Sequence, residues 1–290
     1  MSPFPPSPLV STTWLAGHLT RPDLVILDTS WYLPVTGRIA REEYRAGHIP
    51  GAVYFDLDRA SDPASALPHM LPTEEQFAAY AGGLGVDSDS AVVVYDASGS
   101  NLSAARVWWM FRVFGHDRVA VLDGGLGKWR ADGHAVEPGE TVRRRTTFSV
   151  RLDRSGIRSR SEVSRALATG SAQVVDVRST GRFAGTESEP RPGLAAGHMP
   201  GALNLPYTAL VQPDGTVLAP EDLRRTLEAA GISLDRPVIA SCGSGVSACS
   251  LLLALHCLGR SDAALYDGSW TEWASSGAPV AQGAAPDRMG

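Results

Sequence analysis

The chain reads as an α/β protein built twice on one plan, each copy a mainly parallel sheet with helices on both faces. Three observations carry this. Short continuous apolar runs recur at Leu24-Val25-Ile26-Leu27, Ala91-Val92-Val93-Val94, Val119-Ala120-Val121-Leu122, Val174-Val175 and Val238-Ile239-Ala240, as in strands buried on both faces. Helical segments with their own start and stop signals lie between them. The second half also repeats the first. Gly47-His48-Ile49-Pro50-Gly51-Ala52 returns as Gly197-His198-Met199-Pro200-Gly201-Ala202, 150 positions later. Leu122-Asp123-Gly124-Gly125 through Trp129 returns as Tyr266-Asp267-Gly268-Ser269 through Trp273, 144 positions later.

The elements follow in order. The first ten residues are Pro-rich and read as an arm. Ser11 can cap a short helix over Thr12 to Leu19. Leu24 to Asp28 is the first strand. Ala46 to Val53 is a loop feeding another short strand, and Asp56 to Leu71 is irregular and polar. Thr73-Glu74-Glu75-Gln76 is a capping box for a helix to about Ala81. Ala91 to Tyr95 is a strand, Ser103 to Phe114 an apolar helix stopped by Gly115, and Val119 to Leu122 a strand. Ser159-Arg160-Ser161-Glu162 caps a helix to Ala168, and Gln173 to Val177 answers the first strand. Pro220 opens a helix that Gly231 stops. Pro237 to Ala240 is a buried strand and Val246 to Leu258 an apolar helix. These signals divide the chain into a domain over 1–138, a linker over 139–156 and a domain over 157–290. The linker carries Arg143-Arg144-Arg145, read as a solvated charge cluster.

Composition narrows the function classes. With 43% hydrophobic and 20% charged residues, the 290-residue chain is a folded globular protein. A net charge of −5 gives no reason to expect nucleic acid as partner. The three cysteines form no Cys-x-x-Cys pair, so neither a disulfide framework nor a zinc site is expected, and a reducing compartment, the cytoplasm, suits them. No secretory leader and no apolar stretch long enough for a membrane span stand out.

The chemistry concentrates at Cys242-Gly243-Ser244-Gly245-Val246-Ser247. Cys242 falls where a strand ends and a helix begins. Gly243 and Gly245 let the backbone curl and aim successive N–H groups at one point. The helix N-terminus adds partial positive charge, and both effects stabilise a thiolate. Cys249 and Cys257 read as buried and structural. Aligning the repeats places Asp96 opposite Cys242, and a carboxylate there cannot act as a sulfur nucleophile. The first copy therefore has the fold without the chemistry. His48 and His198, at the same repeat position, read as holders of their His-x-Pro-Gly turns.

Over about residues 9 to 282 the chain resembles the two-domain rhodanese superfamily, and most of all its 3-mercaptopyruvate sulfurtransferase branch. The resemblance rests on the Cys242–Ser247 loop, where the branch has threonine in place of Ser247, and on three further segments. These are Asp28-Thr29-Ser30-Trp31-Tyr32-Leu33-Pro34, Val107-Trp108-Trp109-Met110-Phe111, and Thr180-Gly181-Arg182-Phe183 through Glu189-Pro190-Arg191. The resemblance implies tandem rhodanese-like domains with the nucleophile in the second. It implies transfer of sulfane sulfur from 3-mercaptopyruvate, through a Cys242 persulfide, to a thiol such as thioredoxin or a small thiol. Arg182 and Arg191 would bind the substrate carboxylate and keto oxygen beside Gly243, Gly245, Val246 and Ser247. Ser244, His69 and Asp58 would move the proton, with Asp56 a competitor for Asp58. No cofactor or metal is implied.

Three other readings compete. The thiosulfate-using branch carries Arg and Lys directly after the cysteine, where this chain has the neutral Gly243 and Ser244. Cys-x5-Arg phosphatases need an arginine where this chain has Ala248. A non-catalytic binding module is disfavoured by the presence of Cys242.

Overall fold

The computed structural model describes residues 4–283. In the first half, β1 (Leu9–Val10), β2 (Leu24–Asp28), β3 (Val53–Tyr54), β4 (Ala91–Tyr95) and β5 (Val119–Leu122) form a parallel sheet in the order β1-β5-β4-β2-β3. Its helices are α1 (Thr12–Ala16), α2 (Ala40–Ala46), α3 (Glu74–Gly83), α4 (Leu102–Val113) and α5 (Gly125–Ala131). In the second half, β6 (Ile157–Arg158), β7 (Gln173–Asp176), β8 (Leu203–Asn204), β9 (Val238–Ser241) and β10 (Ala264–Tyr266) repeat that order as β6-β10-β9-β7-β8. Helices α6 (Arg160–Thr169), α7 (Thr180–Ala184), α8 (Pro220–Ala229), α9 (Ala248–Cys257) and α10 (Ser269–Ser275) complete it.

The chain separates into two compact units. One gathers the chain through Pro63 with Leu71–Asp153 and Val211–Val217. The other gathers Ala64–Met70, Arg154–Leu210 and the chain from Leu218 onward. Each unit thus counts a short segment from the opposite half of the sequence. His69 comes from the first half and belongs to the second unit.

Local chemistry explains most elements. Both capping boxes form: Thr73 Oγ1 accepts from Gln76 N and Ser159 Oγ from Glu162 N, with the Gln76 and Glu162 side chains returning the bond. The Pro-rich arm contributes β1, which pairs with β5 through Leu9 and Val10. Helix α2 was not expected, because Ala40–Ala46 has only two turns and no side-chain cap. Trp129 and Trp270 are almost fully buried in the two cores. His48 and His198 are buried and stack on Tyr44 and Phe183, each with Nδ1 2.9 Å from a backbone carbonyl, Tyr44 O and Phe183 O. Cys257 is only half-buried, against the expectation of a core thiol, because it closes the last turn of α9.

The repeats diverge where β2 and β7 end. Asp176 Oδ1 accepts from Arg178 N, and the Arg178 guanidinium closes back on the same carboxylate at 2.6 Å. At the matching place Asp28 Oδ1 accepts from Ser30 N, and no arginine follows. Burial, opposed in part by Ser30 and aggravated by Asp96, pushes Asp28 up to about 6. An unfolded Asp titrates near about 4. Between those values the folded state holds the proton more tightly, so stability falls as pH rises through the window, and the cost is complete above about 6. Asp28→Asn keeps the acceptor for Ser30 N and removes the charge. It should stabilise the chain at pH 7 by about 1–3 kcal/mol and change little at pH 4. Thermal melts at the two pH values check this; a variant no more stable than the parent at pH 7 would refute it.

Candidate active site

Cys242 follows directly on β9, whose last residue Ser241 pairs with Asp176 of β7. The loop therefore opens at the carboxyl edge of a parallel sheet, where ligands bind in such folds. Helix α9 begins at Ala248, two residues later than the apolar run suggests. Val246 and Ser247 instead lead into it by tight turns, with Cys249 N donating to Val246 O and Ser250 N to Ser247 O. The Ser247 side chain makes no capping bond.

The loop's N–H groups do converge, in part on an atom that the sequence reading did not name. Ser269 Oγ accepts from Cys242 N and from Gly245 N, each at 3.1 Å, and donates to Tyr266 O at 2.8 Å. Trp270 N donates to Cys242 O, and both Thr271 N and Thr271 Oγ1 donate to Gly243 O. The turn that opens α10 thus engages the loop at five points. Ser269 is fully buried and sits at φ 49°, a left-handed position that ordinary residues avoid. The N–H groups of Gly243, Ser244, Val246 and Ser247 have no acceptor among the described residues. Cys242 itself is 1% exposed.

One arginine and a histidine gather on Ser244, and all three belong to the second unit. His69 Nδ1 lies 2.9 Å from Ser244 Oγ, and Arg191 Nη2 donates to the same oxygen at 3.2 Å. His69 is 5% exposed and has φ 60°, so its backbone is also left-handed. Gly243 has no side chain because none fits freely. A Cβ there would lie 3.1 Å from Arg182 Nη2 and 3.6 Å from Arg191 Nη1. Both guanidiniums therefore reach over the loop beside the cysteine. Asp58 belongs to the first unit, where both carboxylate oxygens accept from Trp31 Nε1, at 3.2 and 3.3 Å. Asp56 Oδ1 accepts from Arg59 N.

Arg182 departs from the expected loop arginine. It lies in the short helix α7, whose cap is Ser179. Its Nε and Nη2 bind Glu189 at 3.1 and 2.5 Å. Glu189 also takes Arg178 Nη1 at 2.6 Å, and Arg178 holds Asp176. The Asp176, Arg178 and Glu189 side chains of this alternating chain are buried and Arg182 is partly exposed at its end, and Arg178 lies 4.4 Å over the ring of Trp270. Burial opposes the charge on Arg178, yet Asp176 and Glu189 outweigh it and raise its pKa. Glu189 thus fixes the direction of Arg182, while Arg191 is turned to Ser244. Beside Arg191 a cleft of about 390 Å³ is lined by Leu67, Pro68, Pro192, Thr271 and Ser275.

Two signals were available for the missed groups. Ser269 occupies the repeat position of Gly125, and both have positive φ, so a serine where its counterpart is glycine marks a hydroxyl worth its strain. Glu189 lies seven residues after Arg182, a spacing that says nothing until α7 turns the chain back. Among the described residues no three His, Cys, Asp or Glu side chains converge as a metal site would require.

The chain is similar to known proteins over most of its length. The rhodanese-like domain model matches residues 11–132 and 159–276. Human 3-mercaptopyruvate sulfurtransferase is 46% identical over 270 residues, covering 91% of each chain. Thiosulfate sulfurtransferase of Bos taurus is 44% identical over 271 residues, again covering 91% of each. The crystal structure of SseA from Escherichia coli, described as a 3-mercaptopyruvate sulfotransferase, superposes with a TM-score of 0.84 at 40% identity, covering 91% of this chain and 99% of SseA. The chain belongs to the rhodanese-like family and carries that domain in two copies.

Proposed function

We propose that the chain moves sulfane sulfur from 3-mercaptopyruvate to a thiol acceptor, through a persulfide on Cys242, and releases pyruvate. The observation that carries this reading is the placing of charge. The residues beside the cysteine, Gly243 and Ser244, are neutral, while Arg182 and Arg191 stand over the loop. Thiosulfate is a compact dianion and gains most from cations next to the attacked sulfur. 3-Mercaptopyruvate carries its carboxylate at the far end and gains from cations further out. Arginine forks match that carboxylate and the keto oxygen beside it.

The reaction balances without a cofactor. The Cys242 thiolate attacks the substrate sulfur, the S–S bond forms and the C–S bond breaks. The electron pair leaves as the enolate of pyruvate, whose charge builds on the keto oxygen near the two arginines. The substrate thiol gives up its proton through Ser244 and His69, and a proton returns to the carbon to give pyruvate. The persulfide anion then rests among the unsatisfied N–H groups of Gly243, Ser244, Val246 and Ser247. An acceptor thiolate takes the outer sulfur and restores Cys242. Thioredoxin or a small thiol suits this step. Three cysteines outside any disulfide favour a reducing compartment, and we place the chain in the cytoplasm. Among the described residues no helix is long and apolar enough to cross a membrane.

The alternative is thiosulfate sulfurtransferase activity, which the name of the Bos taurus relative brings to mind. kcat/KM measured for both donors on one preparation separates the two readings. The proposal expects 3-mercaptopyruvate to be the better donor. Arg191→Gly should reduce kcat/KM for it by about 10- to 150-fold, the worth of one charged hydrogen bond, and Arg182→Gly should act in the same direction. Thiosulfate use should fall less. His69→Ala should lower kcat by about 100-fold or more if it carries the proton. A parent enzyme that prefers thiosulfate, or arginine variants that leave 3-mercaptopyruvate turnover intact, would overturn the donor assignment.

A further inference from the structure

The Arg143-Arg144-Arg145 run is not simply solvated. Arg143 and Arg145 line a cleft of about 620 Å³ with Arg41, Arg59, Tyr54 and Tyr80. All of these residues belong to the first unit, whereas Cys242 belongs to the second. The volume is that of a pocket for a whole small molecule and far exceeds a single inorganic ion.

The cleft is cationic, although the chain as a whole carries −5. Four guanidiniums line it against two carboxylates, Asp56 and Glu140. Glu140 is already neutralised: Arg41 binds it at 3.1 Å and Arg45 at 2.6 Å. Among the described residues Arg59, Arg143 and Arg145 make no ion pair with a carboxylate. Three arginines of this lining therefore have no carboxylate partner among the described residues. Grouped cations of this kind repel one another and are favourable chiefly when an anion joins them.

The wall that carries the run is fixed. Thr146 N donates to Gly82 O at 2.9 Å, and Thr146 Oγ1 donates to Val86 O at 2.5 Å. Arg143 Cβ lies 2.6 Å from where a Cβ on Gly85 would stand, and Gly85 has φ +83°. Only glycine permits that approach. Tyr80 is locked to Asp56, accepting from Asp56 N at 2.7 Å and donating to Asp56 O at 3.1 Å. Tyr54, Val53 and Pro63 add an apolar surface. Held walls of this kind reduce the ordering cost of binding.

We propose that this cleft binds an organic polyanion: a molecule of up to about mononucleotide size bearing two or more phosphate or carboxylate groups on an organic body. Arginine recognises both groups through the same paired N–H···O geometry. The oxyanions go to Arg59, Arg143 and Arg145, and the body lies against Tyr54 and Tyr80.

Isothermal titration calorimetry of the full chain with ADP tests this, with citrate and adenosine as separate arms. Saturable binding of ADP or citrate is expected, with affinity falling as salt rises. ADP alone assigns the phosphates, citrate alone the carboxylates. Adenosine should bind at least tenfold more weakly than ADP, because it lacks the charge. Arg143→Ala with Arg145→Ala should weaken the bound polyanion about tenfold or more, and Arg143→Glu with Arg145→Glu should abolish binding. Both double variants should keep full sulfur-transfer turnover, which shows that they fold. No saturable binding of ADP or citrate at millimolar concentration, or equal affinity in turnover-competent double variants, would overturn the proposal.

Discussion

Ser269 Oγ takes the N–H groups of Cys242 and Gly245 and gives its own proton to Tyr266 O, and the shape of the cysteine loop follows from those bonds. A loop of six residues with two glycines has many conformations in isolation. The turn opening α10 removes that freedom. Its hydroxyl draws two donors to one side, and Trp270 and Thr271 occupy the carbonyls of Cys242 and Gly243. The N–H groups of Gly243, Ser244, Val246 and Ser247 are left without an acceptor among the described residues. The left-handed backbone of Ser269 costs roughly 1–3 kcal/mol, and the bonds to two buried N–H groups offset it.

The two copies differ at the cysteine position and in the bonds around it. In the first copy Asp96 occupies the cysteine position and closes the loop on itself. Its Oδ1 accepts from Ser98 N and its Oδ2 from Ala104 N, so the carboxylate caps α4 directly. No external hydroxyl is needed, and Gly125 stands where Ser269 stands in the other copy. Leu126 N still donates to Asp96 O, as Trp270 N does to Cys242 O. The scaffold is therefore retained while the residues on it differ. The same holds one strand away, where Asp176 is neutralised by Arg178 and Asp28 is not.

The fold was legible because strand burial, capping boxes and the His-x-Pro-Gly repeat are local signals. The short elements escaped. β1 gains its place only by pairing with β5, and α2 has no cap to announce it. At the site, Cys242 and its glycines could be read from the loop itself. The meeting of His69 with Ser244 is not a local signal, since 175 positions separate them and only the resemblance suggested it. Ser269 and Glu189 act through tertiary contact and left no motif that spacing alone could decode. The arginine run was read as solvated because a sequence gives charge but not concavity.

The central claim is that Cys242 alone carries the sulfur between two half-reactions. The most direct measurement is mass spectrometry of the protein after treatment with 3-mercaptopyruvate and no acceptor, with fragmentation that separates Cys242 from Cys249. The account predicts the mass of one added sulfur atom on Cys242, lost again when a thiol is supplied, and none on the Cys242→Ser variant. Sulfur found on Cys249 or Cys257, or pyruvate release that continues in Cys242→Ser, would contradict it.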